Sequence, residues 1–176
     1  MKKINTPLRE EEIKSLSAGQ ELALSGTIYT ARDQAHKRII QALSAGKRLP
    51  FDLKGAVIYY CGPTQRPKGK IIGACGPTTS RRMDEFTPQL LKAGLKGTIG
   101  KGGRSKEIRA AIKKFKAVYF LAPAGCAALL SKYVKKARPY AFAELGPEAI
   151  YKLKVKEFPL IVGIDYKGRS VINEPF

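Results

Sequence analysis

Three times in this chain an apolar run of strand length breaks at glycine or hydroxyl residues, takes on a positive charge, and passes into residues spaced for a helix. One junction is Thr30-Ala31-Arg32-Asp33-Gln34-Ala35-His36-Lys37-Arg38. Before it, Leu22, Leu24 and Ile28 alternate as in a strand over Glu21–Tyr29, with Gly26 placed for a bulge. After it, Ile39, Ile40 and Leu43 carry a helix to Gly46. The next is Gly73-Ala74-Cys75-Gly76-Pro77-Thr78-Thr79-Ser80-Arg81-Arg82-Met83-Asp84. It follows Lys70-Ile71-Ile72, which reads as a buried strand, and leads into Met83, Phe86, Leu90 and Leu91 at helical spacing. The last is Gly100-Lys101-Gly102-Gly103-Arg104-Ser105, between a short strand at 97–99 and a helix through Ile108, Ala111, Ile112 and Phe115. Strands alternating with helices define an α/β fold. Loops leaving strand C-termini gather there along one edge, where ligands bind.

Cations at a helix start oppose the dipole, at about 0.3–1 kcal/mol each. Free backbone N–H groups and guanidinium forks aimed at one spot make a site for a carboxylate or phosphate. For one junction alone, solvated arginines on a loop are an equal reading; recurrence of the device favours a site. Arg32, Arg82 and Lys101 are its candidate cations, with Thr78, Thr79 and Ser80 alongside. Thr30 and Asp33 have capping-box spacing. Arg32 and His36, four apart, share a helix face. His36 is the only histidine in the sequence, and its place behind Arg32 makes it a candidate acid or base. The Gly-Lys-Gly loop is not a nucleotide-phosphate loop. That pattern needs Ser or Thr straight after the lysine, where Gly102 stands.

The remaining segments extend the alternation. Thr6, Pro7 and the acids at 10–12 open a short helix ending at Gly19. Gly55–Cys61 is a buried strand, and the return through Lys70–Cys75 after a short turn is expected to pair with it antiparallel, making the sheet mixed. The two runs end in the same word, Cys-Gly-Pro-Thr, at 61–64 and 75–78. Ala117–Leu121 is a further strand, then a helix through Leu129, Leu130 and Val134. Strands follow at Tyr140–Leu145, Ile150–Val155 and Phe158–Ile164, with a tight turn at Asp165-Tyr166-Lys167-Gly168. No linker divides the chain, which reads as one domain over 1–176.

Charge narrows the partners. The chain has 33 Lys+Arg against 14 Asp+Glu, a formal net charge of +19, which attracts something negative. Most of the lysines, as at Lys113, Lys114, Lys132 and Lys135, read as solvated helix faces. The tyrosines sit in apolar strands rather than on a nucleic-acid-reading surface, so a nucleic-acid-binding module ranks second. No run reaches the roughly 20 apolar residues of a membrane span, and residues 1–12 lack a signal-peptide core, so a cytoplasmic location is expected. Cys61, Cys75 and Cys126 form no Cys-x-x-Cys pair. Three cysteines can hold an iron–sulfur cluster, but two of these end apolar runs, where cysteine is usually a small buried hydrophobe.

Four motifs, Thr30–Arg38, Gly76-Pro77-Thr78-Thr79-Ser80-Arg81-Arg82-Met83-Asp84, Gly100-Lys101-Gly102 and Pro123-Ala124-Gly125-Cys126-Ala127-Ala128, closely resemble the beta subunit of iron–sulfur (class I) fumarate hydratases. That family includes the beta subunit of L-tartrate dehydratase and the C-terminal domain of single-chain fumarases. The resemblance runs from Pro7 to Asp165. It implies a swivelling β/β/α three-layer fold with a mixed sheet, and a reversible hydration of fumarate to malate. It also implies a 4Fe-4S cluster held by the cysteines of a separate alpha subunit, a heterotetramer in which this chain dimerises, and no activity for this chain alone. By motif, Arg32, Arg82 and Lys101 would hold substrate carboxylates. Thr78 and His36 would be the proton-handling residues, and Asp33, Thr79 and Ser80 orienting ones. Ser80-Arg81 departs from the usual fumarase pattern and leaves L-tartrate dehydration open, while Ala35 before His36 leans toward fumarase.

Overall fold

A computed structural model describes residues 1–172 of the chain; residues 173–176 of the expected domain lie outside the described residues. The elements in order are β1 (Lys2–Asn5), α1 (Glu10–Lys14), β2 (Glu21–Thr30), α2 (Asp33–Ser44), β3 (Val57–Tyr59), a 3-10 turn (Ser80–Met83), α3 (Thr87–Lys92), β4 (Gly97–Gly100), α4 (Lys106–Phe115), β5 (Val118–Leu121), α5 (Ala127–Ser131), β6 (Val134–Ala141), a second 3-10 segment (Ala143–Glu148) and β7 (Ile150–Ile164). No helix among the described residues is long and apolar enough to cross a membrane.

The strands form one seven-stranded mixed sheet. From β1 to β5, neighbours are parallel. β7 runs antiparallel to β2, β5 and β6. Because β7 pairs with both β2 and β5, strands β2, β3, β4, β5 and β7 form a closed ring of pairings.

The period-2 geometry of the strands then creates two cores. Val57, Tyr59, Val118 and Phe120 point inside the ring, with Leu22, Leu24, Leu153 and Phe158. Ile58, Tyr60 and Tyr119 point outward against Ala35 and Ile39 of α2, Leu90 and Leu91 of α3, and Ile108 and Ile112 of α4. On α2 and α4 the apolar residues recur three and four apart, so each helix has one stripe to bury.

Several sequence expectations change. The sheet is mixed, but not through a hairpin at 57–75: residues 70–75 form no strand, and β3 pairs in parallel with β2 and β4. Pro63, Pro67 and Pro77 offer no ladder donors. The loop is instead pinned across its neck, where Thr64 N donates to Ala74 O at 3.0 Å and Ala74 N to Thr64 Oγ1 at 2.8 Å. Phe158–Ile164 and Ile150–Val155 are one continuous strand, and residues 134–141, partly read as helix, form β6. The first helix starts at Glu10, not at Pro7, because the preceding residues add the unexpected β1 to the sheet; Glu12 accepts from Arg9 N at 3.1 Å. The bulge at Gly26 is present, as a register shift between Leu24 and Gly26.

Phe158 is fully buried inside the ring, its centroid 5.5 Å from that of Tyr59 and 6.3 Å from that of Tyr133. Truncating it leaves a cavity between strands that cannot collapse. Phe158→Ala is expected to lower the unfolding free energy by about 3–5 kcal/mol, read in urea denaturation as a shifted midpoint with an unchanged slope.

Candidate active site at the strand ends

With β2, β3, β4 and β5 parallel, their C-termini share one edge. The backbone of β3 continues one residue beyond the strand, Tyr60 N donating to Ile99 O at 2.8 Å, after which β3 and β4 diverge. Residues Thr78–Ser80 fill the gap. Thr78 N and Thr78 Oγ1 both donate to Tyr60 O, at 2.7 and 3.0 Å. On the other side Lys101 N donates to Thr78 O at 3.2 Å and Ser80 N to Lys101 O at 3.0 Å, pairing Thr79 with Lys101 in parallel. Ser80 turns inward, its Oγ 2.8 Å from the Tyr119 hydroxyl. Gly100 is required by this closeness, since a Cβ there would stand 1.9 Å from Ser80 Oγ.

This insertion brings the predicted residues together. Arg82 lies in the 3-10 turn directly after Ser80, and its Nη2 reaches Asp33 Oδ2 of α2 at 3.3 Å. Lys101, at the end of β4, is exposed. Arg32 stands at the N-cap of α2, and its side chain lies over Gly62, where a Cβ would meet Nη1 at 2.9 Å. Arg32 Nε is buried with no hydrogen-bond partner among the described residues, an N–H left open there. The exposed Arg82–Asp33 pair is worth at most about 1 kcal/mol, so it is exchangeable for a ligand carboxylate.

Of the three candidate cations, only Arg32 stands at the start of an α-helix. Arg82 sits in a four-residue 3-10 turn and α3 begins later, at Thr87; Lys101 precedes α4 by several residues. Thr30 caps nothing. As the last residue of β2, it accepts from Tyr151 N at 3.0 Å, and its own hydroxyl lies 3.4 Å from Ala149 O. Thr79 is exposed and is the N-cap of the 3-10 turn without a side-chain bond.

Beneath the loops lies a group that sequence reasoning missed. Arg104 is buried, its Nε 2.5 Å from Asp84 Oδ1 and its Nη2 2.7 Å from Thr87 Oγ1. The only hint in the sequence was its place in the last junction, three residues after Lys101. Cys61 and Cys75 are fully buried in the ring-side core. Burial pushes the Cys75 thiol up to about 12, and the Cys61 thiol also upward. Thiols so held are protonated at neutral pH.

His36 is fully buried beside Tyr60 and Phe86, both at 5.5 Å between ring centroids. Its Nδ1 lies 2.7 Å from Arg32 O; a carbonyl only accepts, so Nδ1 carries the proton, and Nε2 has no partner among the described residues. Burial drives its pKa down to about 4, against the Arg32 carbonyl, which favours the charged ring, and with the help of the Arg104 charge. The folded ring thus binds a proton less tightly than the unfolded one, whose ordinary value is 6.5. Its contribution is intact above pH 6.5 and lost as pH falls to about 4. Relative to His36→Gln, the wild type is expected to lose up to about 3 kcal/mol of unfolding free energy over that window, measured by denaturant titration at each pH.

The L(+)-tartrate dehydratase subunit beta of Escherichia coli is 38% identical over 180 residues, covering 99% of this chain and 88% of that one. A Methanocaldococcus jannaschii protein provisionally given the same name is 40% identical over 173 residues, 95% of this chain and 89% of its own. Fumarate hydratase 2 of Leishmania major is 36% identical over 166 residues, which are 93% of this chain but 29% of that longer protein. Residues 2–174 match the family described as Fumarase C-terminus. With nearly its whole length matched, this chain belongs to the fumarase C-terminal family.

Proposed function

We propose that this chain is the beta subunit of an iron–sulfur-dependent hydro-lyase that interconverts fumarate and malate, with the swivelling β/β/α fold and the partner alpha subunit that the family resemblance implies. The observation that carries the reading is the Thr78–Ser80 insertion, which gathers Arg82 and Lys101 at the sheet edge that also holds Arg32. A four-carbon dicarboxylate has two anionic ends, and cations on separate loops suit it better than a phosphate cradle would. The subunit names of the relatives support an alpha partner, as do the openness of the site and the charge around it. Arg82 and Lys101 are exposed, and the chain has no Asp or Glu between Leu53 and Met83 or between Ile108 and Ala143. A cationic, open half-site fits an acidic surface closing over it.

In this reading Arg32, Arg82 and Lys101 hold the carboxylates, with Arg82 leaving Asp33 to do so. The cluster, when brought by the alpha subunit, supplies a Lewis acid for the substrate hydroxyl and carboxylate. Thr78 handles the proton on the carbon beside a carboxylate, together with an acid of the partner. Its hydroxyl hydrogen is committed to Tyr60 O, which leaves its lone pairs free to accept. His36 acts as a positioning residue: walled off from solvent and neutral, it anchors Arg32 through the backbone carbonyl. A second reading, L-tartrate dehydration, is favoured by the names of relatives that this chain matches over 88–89% of their length. Ser80 does not select between them, because its hydroxyl is turned into the core.

Anaerobic co-expression with the alpha chain is expected to give a complex that consumes fumarate, followed by its ultraviolet absorbance, with L-tartrate assayed in parallel. Loss of one charge-assisted carboxylate contact, about 1.5–3 kcal/mol, makes Arg82→Ala raise KM by roughly 10–100-fold. Thr78→Val is expected to lower kcat with KM little changed. An active complex indifferent to both substitutions overturns the assignment of this edge.

A further inference from the structure

Arg104 is the buried charge that the proposed chemistry leaves unused. Its side chain has no solvent exposure. A guanidinium without water must place its donors on protein. Besides Asp84 and Thr87, Nη1 reaches Thr98 Oγ1 at 3.3 Å and the Tyr60 hydroxyl at 3.4 Å. The plane lies between two aromatic rings, with Cζ 5.4 Å from the Tyr60 centroid and 5.1 Å from that of Tyr119. Asp84 spends its second oxygen on Ser105 N at 2.8 Å.

We propose that Arg104 is a positioning residue for the dicarboxylate site: through Tyr60, Asp84 and Tyr119 it fixes the loops bearing Thr78, Arg82 and Lys101 relative to one another. Its kinetic consequence rests on the hydro-lyase reading; its mechanical one does not. Each loop has its own tether. Tyr60 supplies the carbonyl that takes both Thr78 donors. Asp84 stands two residues beyond Arg82 and closes the 3-10 turn, its N donating to Arg81 O at 3.1 Å. The Tyr119 hydroxyl donates to Gly102 O at 2.8 Å, next to Lys101, and meets Ser80 Oγ at 2.8 Å. One rigid, planar cation therefore touches a member of every tether. Lysine, a flexible point charge with fewer donors, cannot bridge Asp84 and Thr87 while stacked between two rings. A merely structural ion pair would lower global stability without loosening these loops selectively.

Hydrogen–deuterium exchange on the folded chain separates the two roles. In Arg104→Lys, exchange at the Thr78, Ser80 and Lys101 amides is expected to rise at least tenfold while α2 amides stay at wild-type rates. Tyr119→Phe, which keeps the packing and deletes one tether, should do the same at Ser80 and carries the test if Arg104→Lys does not fold. Thr98→Val removes a contact to Arg104 away from the loops and should lower Tm without changing these amides. In the complex with the alpha chain, Arg104→Lys and Tyr119→Phe are expected to raise KM at least fivefold, with Thr98→Val at the wild-type value. Unchanged loop amides in a folded Arg104→Lys or Tyr119→Phe overturn the proposal, as does a KM shift that Thr98→Val reproduces. A wild-type complex without hydro-lyase activity defeats the functional reading instead, and the exchange arm still decides the positioning role.

Discussion

One strand imposes the shape of this protein. The fifteen residues of β7 pair antiparallel with β2 along most of their length and with β5 and β6 on the opposite side. Backbone donors and acceptors must be paired when buried, and β7 satisfies those of β2 and β5 at once, so the parallel strands between them cannot spread into an open sheet. Ring closure gives an interior filled by Tyr59, Phe120 and Phe158 and an exterior that only the helices can cover. Beyond Tyr60 and Gly100 β3 and β4 diverge, and that divergence is where Thr78–Ser80 fits.

The electrostatics of the edge follow from the same geometry. Asp33 is the one carboxylate paired across the edge with a candidate cation among the described ion pairs. The carboxylate–cation contact beneath it, Asp84 with Arg104, has its guanidinium shut off from solvent. The upper layer is thus left electropositive and exchangeable while the lower is neutralised and fixed. Water screens the upper layer, so attraction at long range falls within roughly 8–10 Å at ordinary salt. Specific contacts with a seated anion persist.

The α/β class, the Glu21–Thr30 strand with its bulge, α2, β4, α4 and β5 were all legible in the sequence, the longer elements by their periodicity and the four-residue β4 and β5 as short apolar runs between glycine, lysine or proline. That Arg32, Arg82 and Lys101 lie along one sheet edge was legible from the recurrence of cations at strand-to-helix junctions. What escaped were relations between distant segments. Ile71-Ile72 looked like strand, yet the parallel partner that β3 needed lay some forty residues further on, in β4. His36 looked chemical because it was single; only its packing against Tyr60 and Phe86 shows a ring held neutral. Arg104 was one of 33 basic residues, and no local pattern marks the one that tertiary contacts bury.

The neck at Thr64 and Ala74 bears on how such a protein can diversify. Gly62 and Thr78 belong to the sheet edge, and the hydrogen bonds at the neck close the intervening chain into a self-contained excursion whose feet stay together. Beyond the neck, Gln65, Arg66 and Lys68 face solvent and owe the edge nothing. The tip is therefore a region whose length and charge can be rewritten over generations to suit a new neighbour while the anion-holding groups below keep their spacing.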